Sequence, residues 1–487
     1  MAAAFNIKTN RTFTLIRKRA WLITLLVAIG GLWYPKLGLL VIPIILSLTG
    51  LAFFRGRQWC GNFCPHGSLY DYLALPLSLN KKIPSFFKSK GVLGLVLAWF
   101  GYSMTNKLLK TLPTLGTESF LDKLGFVFVT TYLMVLIVGG FLSIFIAPRT
   151  WCQFCPMGTL QMLSYKLGKL LGVAKVTDQK ITIAAKEKCH NCGKCSRVCP
   201  MQLAPYQEFS GKNQFDNEKC IKCSTCVVNC PAKILSLNTE EKAAQLIQIT
   251  DIDGYDKRVK ISAVLTKITK LKEDVTEYTF DFKTPPRVDY KAGQFILVKV
   301  QDNPRMSRAY SISSYNKDGR SLSVTVKTMT DGYGTGLIAG FKVGDKVELD
   351  GPMGKELVVD KSVKKVLLVA GGIGITPFRS IVTELLNSPN KIEEIKLIYG
   401  VNKQQEFIFD EDFKKMEYEH KTFEFIKVVA ADDTWEGKKG FVTNVIQEMD
   451  LDDYKVYICG PKPMIGPAMK VLNQRNVNEE NIFVESA

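Results

Sequence analysis

The sequence predicts four kinds of domain in one chain: an α-helical transmembrane bundle, a small α+β domain built around cysteines, an antiparallel β-barrel and an α/β domain. Three observations predict this order. Apolar runs recur in the first third of the chain, twelve of the thirteen cysteines fall into short clusters, and alternating stretches after residue 257 give way to a strand, glycine loop and helix pattern after residue 361. At 487 residues the chain is also too long for one core.

The apolar runs predict four transmembrane helices within a membrane domain of residues 1–185. These runs cover residues 21–34, 37–54, 91–104 and 124–147. Cations flank one set of ends, among them Arg11, Arg17, Arg57 and Arg149. Because cations concentrate on the cytoplasmic side of membrane proteins, both termini and the domains that follow the bundle are predicted to be cytoplasmic. The first run has no cleavage site after it and is expected to remain as an anchor.

The formal net charge of +18 is explained by the same flanking cations, so no nucleic-acid partner is predicted. The expected location is the cytoplasmic membrane of a prokaryote, crossed several times, with the lipid bilayer as a partner. Three histidines are too few to supply haem ligand pairs across a helical bundle. The sequence predicts nothing about the oligomeric state.

Residues 186–237 carry a duplicated cysteine motif. Each copy reads C-x2-C-x2-C-x3-C-P, a spacing in which three thiolates hold one 4Fe-4S cluster and the fourth reaches the neighbouring cluster. Structural zinc is the alternative, although zinc sites use paired C-x2-C halves. The segment resembles bacterial-type ferredoxins with two 4Fe-4S clusters. The predicted ligand sets are Cys189, Cys192, Cys195 and Cys230 for one cluster, and Cys220, Cys223, Cys226 and Cys199 for the other.

Two further cysteine pairs follow the second and fourth apolar runs: Cys60 and Cys64, then Cys152 and Cys155, each ending in Cys-Pro. Four thiolates on one face of a bundle predict a third iron–sulfur cluster at the membrane face, with buried thiols or zinc as alternatives. Over residues 11–235 the pattern resembles the polyferredoxin membrane proteins of periplasmic nitrate reduction and cytochrome oxidase maturation. The second pair has two intervening residues instead of three, so the number of irons stays open.

The second half of the chain predicts two more domains. After a linker at residues 238–256, alternating stretches at 296–300, 322–327 and 346–349 predict an antiparallel β-barrel over 257–360. Short apolar strands and a helical pattern then predict an α/β nucleotide-binding domain over 361–487. The predicted strands are residues 366–369, 395–399 and 456–458, and the helical pattern covers residues 377–386.

Residues 308–311 read Arg-Ala-Tyr-Ser, a combination suited to a flavin. A guanidinium can hold a phosphate, a phenol can stack on the isoalloxazine ring, and a hydroxyl can reach N5. A glycine-rich turn at residues 332–336 follows, where backbone N–H groups can meet phosphate oxygens. In this order the motifs resemble the ferredoxin-NADP reductase family from residue 259 to the end. The resemblance implies bound FAD, held by Arg308, Tyr310, Ser311, Gly334 and Thr335.

A second glycine loop, at residues 371–377, lies between a strand pattern and a helix pattern. Helix N-termini and glycine amides favour a dinucleotide pyrophosphate. A Cys-Gly-Pro motif follows a later strand, and the family resemblance places it on the nicotinamide side. The predicted NAD(P)H-binding residues are Gly371, Gly372, Gly374, Thr376, Pro377, Gly460 and Pro461.

The C-terminal residues 483–487 include Glu485, which matches a carboxylate of the resembled family, while the aromatic residue that follows in plant-type members is missing. Glu485 is expected to relay a proton or to tune the flavin, with a plain C-terminal strand as the alternative. Ser311, Cys459 and Glu485 are the predicted catalytic residues.

The expected activity is electron transfer between NAD(P)H, FAD and iron–sulfur clusters. NADH is favoured because no arginine cluster follows residues 399–402. The electrons are expected to leave to a quinone, to an extracytoplasmic redox protein or to another membrane subunit, or to flow in reverse from reduced ferredoxin to NAD+. A maturation or assembly factor that uses NAD(P)H to reduce a metalloprotein is the alternative function.

Overall fold

The computed structural model describes residues 5–248, 254–255, 257–330, 332–360, 362–388 and 392–486. The chain divides into two compact units, one of Ala4–Cys189 with Gly193–Asp251 and one of His190–Cys192 with Ile252–Ala487. Residues 249–253 and 256 of the predicted linker, and the predicted domain ends at 361 and 487, lie outside the described residues.

Three helical segments in the described part of the chain are long and apolar enough to cross a membrane: Pro35–Arg55, Lys90–Thr114 and Ser119–Phe145. The amphipathic helix Pro156–Leu170 packs against helix Val41–Arg55. The shorter helical segments of this domain are Leu15–Arg19, Trp21–Ala28, Gly30–Leu32, Gln58–Asn62, Pro65–Leu69, Tyr70–Ala74, Leu75–Leu77, Ser85–Lys88, Trp151–Gln153 and Val173–Thr177.

The first apolar run differs from the prediction of a fourth spanning helix. Its helix, Trp21–Ala28, is only 8 residues long and is followed by a single 3-10 turn, Gly30–Leu32. Adjacent glycines at 30 and 31 have low helix propensity, and a proline follows at residue 35. The run still packs along helix Ser119–Phe145, so it is a broken segment within the bundle.

The ferredoxin segment is framed by two antiparallel strands, Lys180–Ile183 and Leu235–Asn238. This compact element therefore begins before the predicted boundary at residue 186. Each cysteine motif contains one short helix, Lys194–Arg197 in the first and Thr225–Val228 in the second. Part of the predicted linker is helical, since residues Glu240–Gln248 form a helix.

The barrel predicted from alternating residues is present. Six antiparallel strands lie in one sheet, and a bridge between Ile312 and Val324 joins its two edges. Alternate residues along each strand face the core of the barrel, and the residues at these positions are apolar. In spatial order the strands are Met306–Ser311, Phe295–Gln301, Lys346–Met353, Val259–Lys270, Val275–Thr284 and Ser321–Lys327.

The C-terminal domain has a parallel six-stranded sheet with helices on both faces, as predicted. The strand order reverses between Lys365–Gly371 and Tyr454–Gly460, and such a switch point is where open α/β sheets bind ligands. The strands in spatial order are Lys438–Lys439, Phe423–Val429, Glu394–Val401, Lys365–Gly371, Tyr454–Gly460 and Ile482–Ser486. The main helices are Thr376–Leu386, Asp410–Glu419, Val442–Glu448 and Lys462–Gln474.

Candidate redox sites

The two ferredoxin motifs share one backbone conformation. Left-handed φ angles recur at matching offsets from the first cysteine of each copy. Such turns point successive backbone N–H groups to one side, which suits anionic ligands such as thiolate-bound clusters. The matching residues are Asn191, Gly193 and Gln202 after Cys189, with φ of 47°, 66° and 51°, and Lys222, Ser224 and Lys233 after Cys220, with φ of 52°, 58° and 52°.

Cysteines of the second motif line one small cavity together with Cys199 of the first. This arrangement supports the predicted exchange of the fourth ligand, which stays a prediction. Cys189, Cys195 and Cys230 pack in the apolar cluster around Ile181, which also contains Cys220 and Cys226. The four thiols that line the cavity are Cys199, Cys220, Cys223 and Cys226.

The four cysteines of the membrane domain, Cys60, Cys64, Cys152 and Cys155, also line a single cavity. Each Cys-Pro pair begins a helix, because proline is well suited to the first turn. We refer to these four residues as the membrane tetrad. The helix start also places an amide near one sulfur, since Gly67 N donates to Cys64 Sγ at 3.4 Å.

Side-chain donors surround the membrane tetrad. Arg149 Nη1 donates to Cys152 Sγ at 3.6 Å and to Cys60 O at 3.0 Å. Arg57 Nη2 donates to Cys152 O at 3.0 Å and lies 3.9 Å from Cys60 Sγ. Gln161 Nε2 donates to Cys60 Sγ at 3.2 Å. Donors of this kind stabilise thiolates and so favour a metal-bound form of the cysteines.

A buried charge cluster lies behind these donors. Asp71 accepts from Arg17 and Arg149, each at 2.6 Å, and Arg11 Nη1 lies 3.7 Å from its second oxygen. Burial alone would raise the pKa of Asp71, but Arg149 and Arg17 lower that pKa well below its usual range. The arginines were predicted to be cations flanking the membrane; the structure instead buries Arg11, Arg17, Arg57 and Arg149, all at most 3% exposed.

Three buried guanidiniums thus surround one buried carboxylate, and the fourth lies at the cysteines. Nitrogens of Arg11, Arg17 and Arg57 have no hydrogen-bond partner among the described residues. Uncompensated buried cations are costly, so the site calls for further negative charge. A cluster held by four thiolates supplies that charge, and the tetrad therefore fits an iron–sulfur cluster. Sequence reasoning missed Asp71, although a lone acid beside a membrane segment is a usable signal.

The ferredoxin segment packs directly on the membrane tetrad. Ile221 and Cys223 belong to the same buried apolar cluster as Cys60 and Cys152. A side chain at Gly61 would lie 2.0 Å from Ile221 O, so only glycine allows the two backbones to approach this closely. Within the described residues, no three His, Cys, Asp or Glu side chains are arranged to hold a single metal ion.

The predicted flavin residues lie together on the barrel. Strand Met306–Ser311 carries Arg308, Tyr310 and Ser311. Arg308 Nη1 donates to the carbonyls of Cys192 and Ser307, at 2.8 and 2.9 Å. The Tyr310 hydroxyl is buried without a partner in the described part of the chain, and burial raises its pKa to about 12, opposed by Arg308.

The glycine-rich turn meets the same arginine. Helix Tyr333–Ile338 begins there, and a Cβ on Gly334 would lie 2.2 Å from Arg308 Nε. Thr335 Oγ1 accepts from Met329 N at 3.3 Å and donates to Gly332 O at 3.1 Å, which fixes the turn. A guanidinium beside glycine amides fits a flavin pyrophosphate.

The second glycine loop lies at the switch point of the parallel sheet. A Cβ on Gly374 would lie 2.3 Å from Cys459 O, so the loop and the Cys-Gly-Pro motif touch through their backbones. Gly371 and Gly460 are likewise close together, while Thr376 and Pro377 begin helix Thr376–Leu386. The structure therefore brings the predicted nicotinamide residues together, with Gly372 at φ 54° and Pro461 at the start of helix Lys462–Gln474.

Glu485 lies beside Cys459, since the two residues are register partners in neighbouring parallel strands. Burial raises the pKa of Glu485 to about 7, and Glu356 adds to the rise. Burial, with Glu485 adding to it, also raises the pKa of the Cys459 thiol well above its usual value. The pair is therefore a neutral thiol beside a carboxyl that titrates near neutral pH.

Four known families match parts of the chain. The oxidoreductase FAD-binding domain matches residues 262–356, and the oxidoreductase NAD-binding domain matches residues 368–470. A 4Fe-4S dicluster domain matches residues 188–235. A 4Fe-4S binding domain matches residues 37–84 and 129–174, which contain the membrane tetrad.

Among curated proteins, the chain is similar to one of the subunits of the Na(+)-translocating NADH-quinone reductase. The Serratia proteamaculans protein is 27% identical over 48% of this chain and 61% of its own length. The Yersinia pseudotuberculosis protein is 29% identical over 42% of this chain and 55% of its own length. The chain thus spans little more than half of these relatives.

Among solved structures, a cytochrome P450 reductase from Amycolatopsis is 21% identical, with a TM-score of 0.44 over 47% of this chain and 70% of that one. A ferredoxin NADP+ reductase from Neisseria gonorrhoeae is 20% identical, with a TM-score of 0.40 over 47% of this chain and 98% of that one. From the family matches, the chain is an oxidoreductase that carries FAD-binding and NAD-binding domains of the ferredoxin-NADP reductase family together with 4Fe-4S ferredoxin domains.

Proposed function

We propose that this chain is a membrane-bound enzyme that passes electrons from NADH through FAD and iron–sulfur clusters to a membrane quinone. The observation that carries the proposal is the shared buried cluster of Cys60, Cys152, Ile221 and Cys223. It joins the ferredoxin segment to the membrane tetrad through buried apolar contacts. The name of the relatives, which describes part of an NADH-quinone reductase, supports both the donor and the acceptor.

When bound, FAD takes up a hydride and releases single electrons, which the clusters carry. Residues of the barrel would hold the flavin: Arg308 and the turn at Gly334 and Thr335 would bind its phosphates, and Tyr310 and Ser311 would contact its ring. At the switch point, the buried Cys459 would limit the access of water to the nicotinamide. Glu485 holds a proton up to about pH 7 there.

The choice of NADH over NADPH is supported by acidic residues near the end of strand Glu394–Val401. Asp432 accepts from Gln404 N at 3.2 Å, and Asp432 and Asp433 line the same surface depression as Lys403. The hydrogen bond from Thr434 lowers the pKa of Asp432, as does the amide of Gln404. A second phosphate on the adenine ribose would meet these anions, whereas a free hydroxyl would not.

We further propose that the chain lies in the cytoplasmic membrane of a prokaryote with the tetrad on the cytoplasmic side. The three candidate spans support membrane insertion. The cysteine pairs follow the ends of the first and third spans, so both pairs are on one side. Cations that stay exposed on that side, among them Lys18, Arg19, Lys81 and Lys82, support its cytoplasmic assignment.

The test uses the full chain, purified in detergent without oxygen. Iron, acid-labile sulfide and flavin are measured, and EPR spectra are recorded during titration with NADH. We expect one flavin and three clusters, all reduced by NADH, and we expect NADH-dependent reduction of a short-chain quinone. If NADH reduces the clusters but no quinone is reduced, the proposal that a quinone is the acceptor is wrong.

A matched variant locates the exit of the electrons. The Cys60→Ser, Cys152→Ser double variant should lose one EPR signal and all quinone reduction. Ferricyanide accepts electrons directly from reduced flavin, so its reduction by NADH serves as the control. Quinone reduction that persists without the tetrad would place the exit elsewhere in the chain.

A further inference from the structure

We propose that the apolar part of the cavity that the membrane tetrad lines, between the three candidate spans, binds the ring of the quinone and that His66 Nε2 forms a hydrogen bond with a ring oxygen. This inference rests on the proposed function and deepens it, because it names the acceptor's binding site. The cavity is bordered by all three candidate spans and by the four cysteines.

The walls of the cavity suit a planar apolar ring. One span contributes Ile45, the second contributes Trp99, and the third contributes Tyr132. Aromatic and aliphatic walls with a few placed polar groups are typical of small-molecule sites. The lining residues lie on the three candidate spans, so we expect a ligand with an isoprenoid tail to enter from the bilayer.

His66 supplies a polar atom that lacks a partner. Its Nε2 is buried and makes no hydrogen bond with any described residue. Its ring lies 4.5 Å from the ring of Tyr132, which places it in the wall of the cavity. A buried ring nitrogen without a partner is unfavourable, and a ligand oxygen satisfies it. Nε2 donates to a quinone carbonyl or accepts from a quinol hydroxyl, according to its tautomer.

The position of His66 in the chain places the ligand close to the electron source. His66 follows Cys64 and Pro65 directly, and Cys64 and Cys155 line the same cavity. A ring bound against His66 is therefore a neighbour of the tetrad. A quinone is the membrane-soluble compound with an apolar ring, two hydrogen-bonding oxygens and the capacity to accept two electrons.

The overall reaction balances as NADH + H+ + quinone giving NAD+ + quinol. The C4–H bond of the nicotinamide breaks with transfer of a hydride, which supplies both electrons and one proton. The second proton comes from water. Two O–H bonds form on the quinone ring, so no further reductant or oxidant is needed.

The first test compares His66→Leu with His66→Gln in the full chain. Leucine removes the hydrogen bond and retains bulk, and we expect it to lower kcat/KM for short-chain quinone at least tenfold. Glutamine keeps a hydrogen-bonding group and should recover part of the loss. Iron content and the NADH-reduced EPR signals, measured on the same samples, identify any variant that has failed to assemble.

The second test blocks the cavity from another wall. Thr131 lines the cavity, whereas Ile137 on the same helix is 62% exposed and does not line it. Thr131→Trp should lower quinone reduction strongly, and Ile137→Trp should leave it unchanged. A short-chain azidoquinone, activated by light, should label residues of this cavity, and unlabelled quinone should compete.

The outcomes separate the two proposals. If the wild-type protein, with full flavin and iron, reduces no quinone, the proposed function fails. If the wild-type protein reduces quinone but the His66→Leu and Thr131→Trp variants retain more than half of its kcat/KM, the site assignment is overturned. Labelling confined to another part of the chain overturns it as well.

Discussion

The membrane tetrad and the nicotinamide site both bury charge, but they do so by opposite means. At the tetrad, permanent cations surround the cysteines, and Asp71 forms ion pairs with two of these cations, Arg17 and Arg149, each at 2.6 Å. At the nicotinamide site, the buried charge is carried by Glu485, whose pKa burial raises to about 7. One site is electrically fixed across the physiological pH range, whereas the other changes charge within it.

The difference matches what each site handles. Guanidiniums stay protonated at any physiological pH, so the tetrad offers constant compensation to an anionic group. A carboxyl that titrates near pH 7 can instead hold or release a proton as hydride chemistry proceeds. Fixed charge therefore suits electron transfer alone, and titratable charge suits coupled proton transfer.

The largest effect should come from removing the anion at the tetrad. Asp71→Asn leaves buried arginines without their partner, and breaking a buried ion pair in this way costs about 3–5 kcal/mol. We expect a large fall in thermal stability in detergent and a low yield. Asp122→Asn is the control, because its pair with Lys36 is 4.0 Å long and solvent-exposed. Similar stability for both variants would contradict the idea of a fixed-charge site.

A smaller effect should follow from removing one cation. Arg57→Gln takes a charged donor from the tetrad, so the reduced cluster loses stabilisation. Hydrogen bonds to charged groups are worth about 1.5–3 kcal/mol, which lowers a one-electron midpoint potential by roughly 60–130 mV. Redox titration followed by EPR measures the shift. Arg19→Gln, at an exposed position, should leave all potentials unchanged.

Glu485→Gln tests the titratable site. In the unfolded chain this carboxyl ionises near pH 4.5, but in the folded protein it keeps its proton up to about pH 7. The stability that it contributes is therefore present below pH 4.5 and is lost as the pH rises towards 7 and beyond. The amide variant cannot ionise, so it should become more stable than the wild type as the pH increases.

Part of the Glu485 side chain is exposed to solvent, which weakens the effect. Between pH 5 and pH 8, the stability of Glu485→Gln relative to the wild type should therefore rise by about 1 kcal/mol, or about 2–4 °C in melting temperature. The temperature of flavin release, followed by fluorescence, measures it. The exposed Glu480→Gln is the matched control. A stability difference that does not vary with pH would show that Glu485 does not titrate in this range.

The smallest effect should come from exposed charge. Asp432→Asn removes one anion from the adenine end of the nucleotide domain, and solvent screens charges at such exposed positions strongly. The ratio of kcat/KM for NADPH to that for NADH should therefore rise only about threefold. Glu436 is close in the sequence but does not line the depression, so the Glu436→Gln variant should not change the ratio. A ratio that is equally unchanged for Asp432→Asn would remove the support for NADH preference.

The sequence predicted the soluble domains well because their patterns are local. Alternation predicted the barrel strands, and the loop at residues 371–377 lies at the strand switch as its glycines indicated. The fourth spanning helix was not found among the described residues, since Gly30 and Gly31 break the first run. The average hydrophobicity of a run does not reveal such a break in the helix.

The buried arginines could not be predicted from the same reasoning. A cation beside an apolar run looks identical whether it faces lipid headgroups or a cysteine 89 residues away in the chain, as Arg149 and Cys60 are. Only tertiary packing distinguishes the two. Asp71 illustrates the same limit, because its three arginine partners come from two distant segments.

The close approach of Gly61 to Ile221 has a kinetic consequence. A soluble ferredoxin must find its partner by diffusion, so its rate depends on concentration and falls when salt screens the attraction. Here the ferredoxin segment is already seated on the membrane domain, backbone against backbone. Electron transfer between these two sets of cysteines is therefore unimolecular. Its rate should be the same in dilute and concentrated samples and at low and high ionic strength.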